Sequence, residues 1–210
     1  MTSQTEVEFI GDLPKEKFKE LKSLFDKNGK FKKQKDRISF MYFRDKIPKD
    51  LSEIKDEPVD LRFRVTNKQP EIVLKYGLFN AAHARREVSI PLKPEEVEKH
   101  IELLSLLGWN LVVIYATKTL TYDYKGIEFA LAEIKDYGYN FEAEILTDES
   151  KVDEAKKTIT KELTKLGLKP FDEQGLNKQC NAINNKKDLQ FDFSKKSFKE
   201  VRNRFREFFE

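Results

Sequence analysis

Two stretches far apart in the chain each set a Glu-x-Glu pair inside a strict alternation. Between Gly138 and Leu146, Phe141, Ala143 and Ile145 alternate with Glu142 and Glu144. Near the start, Val7 and Phe9 alternate with Glu6 and Glu8. A strand sends successive side chains to opposite faces, so each stretch predicts one apolar face and one face carrying two carboxylates. Burying the apolar faces of both strands leaves Glu6, Glu8, Glu142 and Glu144 on their polar faces, and the rest of the fold has to accommodate them.

The same device recurs with the opposite charge. Leu61, Phe63 and Val65 alternate with Arg62 and Arg64. Ile72 and Leu74 alternate with Val73 and Lys75, and Val88 and Ile90 with Arg85, Glu87 and Ser89. Residues 110–124 and 127–132 are β-forming, with Lys125-Gly126 as the hairpin turn between them. Asn67-Lys68-Gln69-Pro70 makes another turn. Helices are expected over 13–27, from Pro94 to about Leu107, over 148–166 and over 197–209. Their inward stripes would be Phe18, Leu21, Leu24 and Phe25; Val97, Ile101, Leu104 and Leu107; Val152, Ala155, Ile159, Leu163 and Leu166; and Phe198, Val201, Phe205 and Phe208. The basic segment 30–36 reads as a loop, 37–44 as β-forming, and 45–58 as a surface connection; 170–194 is weakly patterned. About eight strands, mostly antiparallel, with three or four helices outside, predict an α+β fold with a barrel-like sheet.

Composition narrows the chemistry. Charged residues make up 37% of the 210, yet the net charge is only +3. That argues against a general nucleic-acid coat and leaves local patches open. A single cysteine, Cys180, allows no internal disulfide and fits a reducing cytoplasm. No apolar run approaches the roughly 20 residues of a membrane span, and the start lacks a basic-then-apolar signal pattern. The expectation is a cytoplasmic protein. Two histidines and one cysteine argue against zinc. A metal here would be held by carboxylates, hence Mg²⁺ or Mn²⁺.

The polar faces of these strands gather Glu6, Glu8, Arg62, Arg64, Lys75, Arg85, Glu87, Glu142 and Glu144. One reading is an antiparallel sheet with a single wet face. The other is a barrel whose lumen holds the charges, with arginine and lysine on phosphates and paired carboxylates on a divalent ion.

The order of these motifs resembles the CYTH superfamily, the triphosphate tunnel metalloenzymes that include class IV adenylyl cyclases and thiamine triphosphatases. The family's opening Glu-x-Glu-x-Lys is matched at Glu6 and Glu8, and its Arg-x-Arg at Arg62 and Arg64. Its strand lysine is matched at Lys75, and its Arg-x-Glu at Arg85 and Glu87. Its late Gly-x-x-x-Glu-x-Glu is matched at Gly138, Glu142 and Glu144. The resemblance covers about residues 5–165. Departures fall at Ile10, where the family has lysine, and at Ala132, where it has an acid. Thr117 and Thr119 stand at its Lys-x-Arg, with Lys118 between them, out of phase unless a bulge re-aims it.

The resemblance implies a closed or nearly closed antiparallel barrel, with residues 1–168 as the tunnel domain and 169–210 as a C-terminal helical extension packed on it. It implies Glu6, Glu8, Glu142 and Glu144 around Mg²⁺ or Mn²⁺. It implies Arg62, Arg64, Lys75 and Arg85 on the triphosphate, joined by Lys118 if re-aimed. Glu6, Glu8 and Glu87 would be the catalytic carboxylates, Glu87 orienting an arginine or supporting a metal-bound water. The implied activity is metal-dependent hydrolysis of inorganic triphosphate or of a nucleoside or thiamine triphosphate. Three alternatives stand beside it. A tunnel that binds a polyanion without turnover is motivated by Ile10, Thr119 and Ala132. An RNA 5′-triphosphatase is motivated by the basic segment 30–36. A class IV cyclase is the third, for which no adenine pocket is legible. His83, in a small-residue loop, and Cys180 read as a plain loop histidine and an inert thiol.

Overall fold

The computed structural model describes residues 4–54, 57–77 and 86–210. In chain order the elements are β1 (Gln4–Leu13), α1 (Lys15–Asn28), β2 (Lys30–Phe43), β3 (Val59–Thr66), β4 (Gln69–Tyr76), β5 (Arg86–Pro91) and α2 (Val97–Leu106). There follow β6 (Leu111–Tyr124), β7 (Ile127–Ile134), β8 (Gly138–Asp148), α3 (Val152–Leu166), α4 (Glu173–Asn184), β9 (Gln190–Asp192) and α5 (Phe198–Arg204). The fold is α+β with an antiparallel sheet. Strand order is β1-β8-β7-β6-β2-β3-β4-β5, with β9 on β6. Among the described residues this ladder is open at β1 and β5, so strand pairing does not close the expected barrel.

Contacts divide the chain into two compact units, each discontinuous in sequence. The first holds residues 1–35 and 117–176; the second holds 36–116 and 177–210. In the first, α1 and α3 lie on the apolar face of the sheet. Leu21 and Phe25 of α1 and Ile159 and Leu163 of α3 join Val7, Tyr122, Phe129, Leu131 and Phe141 in one core. The Phe25 ring is 4.9 Å from Phe129 and 5.7 Å from Tyr122, centroid to centroid, within the range of favourable aromatic pairs. Gly167 ends α3 at φ +67°, and its N–H reaches the Leu163 and Thr164 carbonyls. The chain after α3 then crosses β1, where the Phe171 N–H donates to the Ile10 carbonyl at 2.7 Å. Gly11 makes that crossing feasible, since a Cβ there would lie 2.5 Å from the Lys169 carbonyl oxygen and from Phe141.

In the second unit, Ile38, Phe40, Leu61, Phe63 and Val65 bury the apolar faces of β2 and β3. Phe40 packs on Phe63 at 5.2 Å and on Phe198 of α5 at 6.2 Å. Asn67 and Lys68, at φ 48° and 68°, form the two-residue turn between β3 and β4. Lys125 and Gly126, at 56° and 78°, do the same between β6 and β7 in the first unit.

The sequence reading needs several corrections here. Residues 30–36 are not a loop but the first half of β2, whose lysines conceal its alternation. Helix α4 and strand β9 lie within the stretch that carried little pattern. Leu107 points outward at 62% exposure because α2 has ended at Leu106.

Candidate functional site

In an antiparallel ladder, residues directly opposite one another share a face. Glu8 lies opposite Glu144, Glu144 opposite Glu128, and Glu128 opposite Asp123. Four carboxylates thus form a row across β1, β8, β7 and β6 in the first unit. Glu142 is on the same face one pleat along, between Ile10 and Ala130. Val7, Phe129, Phe141 and Ala143 take the other face, under α1 and α3, and that burial fixes the direction of the acids.

Oxygens of Glu6, Glu8 and Glu144 all lie within 4.8 Å of one another. Like charges this close raise one another's pKa. Glu8 is exposed as a residue, yet desolvation of its carboxyl, then Glu142, Glu6 and Glu144, push its pKa up to about 7, with Lys35 opposing. Glu144 is raised by burial, then by Glu6 and Glu128, a hydrogen bond with Glu6, and Glu142. Further along the row, Lys32 Nζ donates to Glu128 Oε2 at 2.8 Å, with Lys33 at 3.9 Å from the same carboxylate. An all-oxygen set whose members destabilise one another's charge suits a hard divalent cation.

In the second unit, Asp60, Arg62 and Arg64 share a face of β3 with Lys75 of β4 and Glu87 of β5. Arg62 donates through Nε and Nη2 to both Asp60 oxygens, each at 2.7 Å. Lys75 Nζ lies 3.0 Å and Arg64 Nη1 3.7 Å from Glu87. Burial works against the Glu87 charge, but the Lys75 hydrogen bond and charge, with Arg64 and Arg62, hold its pKa below the usual carboxylate value. Arg64 is only 7% exposed, and its buried Nε has no hydrogen-bond partner. Burial, then Arg62 and Arg37, press its pKa down, against Glu87 and Glu71. A buried guanidinium with an unused N–H is equipped to receive an anionic oxygen.

The structure brings Glu6, Glu8, Glu142 and Glu144 onto one face of the first unit, and Arg62, Arg64, Lys75 and Glu87 onto one face of the second. Arg85 and His83 fall outside the described residues. Lys118 is opposite Glu133, and the pairing runs unbroken from Thr117 to Tyr124. With no bulge to re-aim it, Lys118 lies on the face away from the carboxylates, so the expectation for this residue is corrected. The sequence reading overlooked Glu128, Asp123, Lys32 and Asp60. Glu128 stood in the alternation of its strand, and only pairing register shows that it continues the Glu8–Glu144 row.

The family model described as CYTH domain matches residues 4–174. No curated protein matches the chain. Among solved structures, a conserved hypothetical protein from Pyrococcus furiosus is 23% identical at TM-score 0.55, over 79% of this chain and 92% of that one. A Pyrococcus horikoshii protein is 23% identical at TM-score 0.58, over 85% and 99%. A Hippeastrum protein, named as a candidate adenylyl cyclase and described as revealing a dominant triphosphatase activity, is 14% identical at TM-score 0.55, over 85% and 96%. At these identities the likeness is one of fold.

Proposed function

The chain belongs to the CYTH domain family, and from that premise we propose that it is a metal-dependent hydrolase of a triphosphate compound. The observation that carries this reading is the mutual approach of Glu6, Glu8 and Glu144 within 4.8 Å. Glu6, Glu8, Glu142 and Glu144 would hold Mg²⁺ or Mn²⁺. The ion, when bound, supplies charge neutralisation at phosphate oxygens and lowers the pKa of a coordinated water. Arg64 and Lys75 would bind phosphate oxygens, as would the part of Arg62 that Asp60 leaves free; Arg85 completes the expected set. Such groups stabilise the charge that develops on the transferred and leaving oxygens. Glu87, 3.0 Å from Lys75 and 3.7 Å from Arg64, orients those cations.

The tunnel form of the fold belongs to this proposal, with residues 1–168 as the tunnel domain and 169–210 as the extension. So does the substrate range of inorganic, nucleoside or thiamine triphosphate. The activity described for the Hippeastrum protein favours hydrolysis over cyclisation. A role on RNA 5′ ends is less favoured, since Lys32 and Lys33 of the basic segment turn toward Glu128. No described helix is long and apolar enough to cross a membrane.

A second reading, binding of a polyanion without turnover, draws on two positions of the acidic face. Ile10 sits directly opposite Glu142, and Ala132 opposite Thr119, where the family resemblance implies charged groups. Phosphate release from tripolyphosphate, ATP and thiamine triphosphate, with Mg²⁺, with Mn²⁺ and with chelator, separates the two. Metal-dependent release from any of them supports hydrolysis. Calorimetric binding without release selects the second reading, and neither binding nor release removes both.

A further inference from the structure

The face of the first unit that carries the acids continues past them. Side chains alternate along β8, so Asn140, Glu142 and Glu144 share one face. Across the ladder, Asn140 lies opposite Asp12 on one side and Ala132 on the other, and Ala132 lies opposite Thr119. The next row is Ile10, Glu142, Ala130 and Thr121, and the row after it is Glu8, Glu144, Glu128 and Asp123. Register therefore joins Asn140 to the carboxylates on a single surface, two pleats or about 13 Å along the strand from Glu144.

The two ends of this surface differ in burial and in charge. Glu6 and Glu8 are exposed, whereas Thr119, Ala132 and Asn140 are 7%, 5% and 4% exposed. Apart from Asp12 on the edge strand, the Asn140 row is neutral. The family resemblance implies a basic residue at Thr119 and an acid at Ala132, so this chain has lost charge where that row is buried.

Asn140 Oδ1 is buried with no hydrogen-bond partner. Buried polar groups are ordinarily satisfied, and an acceptor that is not destabilises the fold that holds it. What it lacks is a donor. Phosphate oxygens are acceptors, so Oδ1 is not matched to a phosphate chain. A divalent ion is matched better by Glu6, Glu8 and Glu144, whose oxygens converge within 4.8 Å. A buried row of small and neutral side chains with one unused acceptor suits the uncharged part of a ligand, which it would orient through a single hydrogen bond.

We propose that Asn140 is a specificity residue, its side-chain oxygen accepting a hydrogen bond from a hydroxyl or amino group on the organic part of a triphosphate ester. This rests on the hydrolase reading above and narrows its substrate range, from any triphosphate to an ester in preference to inorganic triphosphate. The metal-bound end and the organic end of the ligand then lie along one strand face, with Thr119 and Ala132 in the row that receives the organic group.

The test uses the full chain, with Asn140→Leu and Asn140→Asp. Leucine keeps the volume and removes the acceptor; aspartate keeps the acceptor and removes the amide donor. ATP and thiamine triphosphate carry donors on their organic parts, whereas tripolyphosphate offers acceptor oxygens. Affinity for each is read by calorimetry with chelator, and as kcat/KM with Mn²⁺ where binding needs the metal. Thermal unfolding is measured without ligand. The readout is the ratio of ester to tripolyphosphate affinity, in which a general change of charge cancels. Asn140→Leu is expected to lower that ratio roughly 3- to 10-fold, the scale of one neutral hydrogen bond, and to melt at or above wild type, since no native hydrogen bond is lost. Asn140→Asp should hold the ratio at or above wild type. A Leu variant with the wild-type ratio overturns the inference. So does an Asp variant whose ratio falls with that of Leu, because the amide N–H is then the group in use. A Leu variant that melts lower or fails to fold makes Asn140 a packing residue, and one that loses Mn²⁺ affinity makes it a metal ligand; either result overturns the inference. A wild type that takes only tripolyphosphate removes the inference and leaves the hydrolase reading standing. One that binds none of the three and releases no phosphate with Mn²⁺ removes both.

Discussion

The row Glu8–Glu144–Glu128–Asp123 in the first unit and the row Asp60–Lys75–Glu87 in the second follow the same ladder rule. They end in opposite electrostatic states. The first is acidic throughout, with the Lys32 ion pair at Glu128. The second alternates in sign, so each charge has an opposite neighbour across the strand. Cross-strand pairs of opposite charge stabilise a sheet, and like charges directly opposite destabilise it. Among the described residues, the second row is matched in charge without a ligand, and the buried Arg64 Nε beside it has no hydrogen-bond partner. The first keeps an electrostatic penalty that a bound cation would relieve. Stability given up at one defined place is characteristic of a site built for something else.

Removing a carboxylate should therefore separate activity from stability. Glu144→Ala is expected to lower metal-dependent turnover by roughly 10²–10³-fold, the scale for losing a group that supports the developing charge. Without metal, its melting temperature should stay at or above wild type, because a repulsive partner of Glu6 and Glu8 is gone. Steady-state kinetics with calorimetric melting checks both. A clear loss of stability in the variant would mean that the acidic row is structural and the contrast with the second region false.

The second region should respond in binding. Arg64→Ala removes a buried guanidinium whose hydrogen bonds to an anion are of the charge-assisted kind, worth about 1.5–3 kcal/mol. Tripolyphosphate affinity should fall by roughly 10- to 100-fold, read by calorimetry. Stability should fall as well, since Glu87 loses an ion-pair partner. The two regions then differ in sign: alanine relaxes the first and damages the second.

Acidity gives the same contrast reversibly. Glu8 has its folded pKa raised from 4.5 to about 7, so its protonated form favours the folded state. That contribution is present below pH 4.5 and lost as pH rises toward 7. Glu87 is held below its ordinary value, so its contribution is present above that value and lost on acidification. Metal competes with the Glu8 proton, so apparent Mn²⁺ affinity should rise by up to about tenfold per pH unit until near 7, then level off. Mn²⁺ titrations from pH 5 to 8 measure it, and Glu8→Gln should flatten the profile. An unchanged profile in that variant would assign the titration to another group.

Much of this was legible because strand alternation is a local property. Val7, Phe9, Phe141 and Ala143 announce their faces in sequence, and the charged residues between them follow. What was not legible depends on partners. The lysines of residues 30–36 hide a strand because this exposed half of β2 carries no apolar alternation, and the buried face begins only at Ile38 and Phe40. Helix α4 went unread because its buried residues over 177–184 are Gln179, Ile183 and Asn184, a mostly polar set without the apolar period that marks a core helix. Glu128 joined the acidic row only through register, which no single strand encodes. Leu107 misled in the other direction: the stripe continues one residue past the helix that would have turned it inward.

Lys118 is where register and family pattern make different predictions, and its expected effect is the smallest. The pattern puts basic residues at Thr117 and Thr119, and Lys118 would substitute for them only through a bulge. The ladder from Thr117 to Tyr124 is unbroken, so Thr119 shares its face with Ala132 and Asn140, and Lys118 shares the opposite one with Glu133 and Tyr139. A one-residue shift in phase moves a side chain to the other side of the sheet, and a lysine stem does not reach back through it. Lys118→Ala should therefore leave tripolyphosphate affinity within about twofold of wild type, since surface charges away from a site contribute little. Thr119→Lys, in phase with the acidic face, is the companion variant: it adds a cation opposite Ala132, and it should tighten tripolyphosphate and weaken Mn²⁺. If Lys118→Ala weakened the phosphate as strongly as Arg64→Ala does, the register of β6 would have to slip by one residue in the ligand-bound protein, and the separation of acidic from basic regions drawn above would no longer hold.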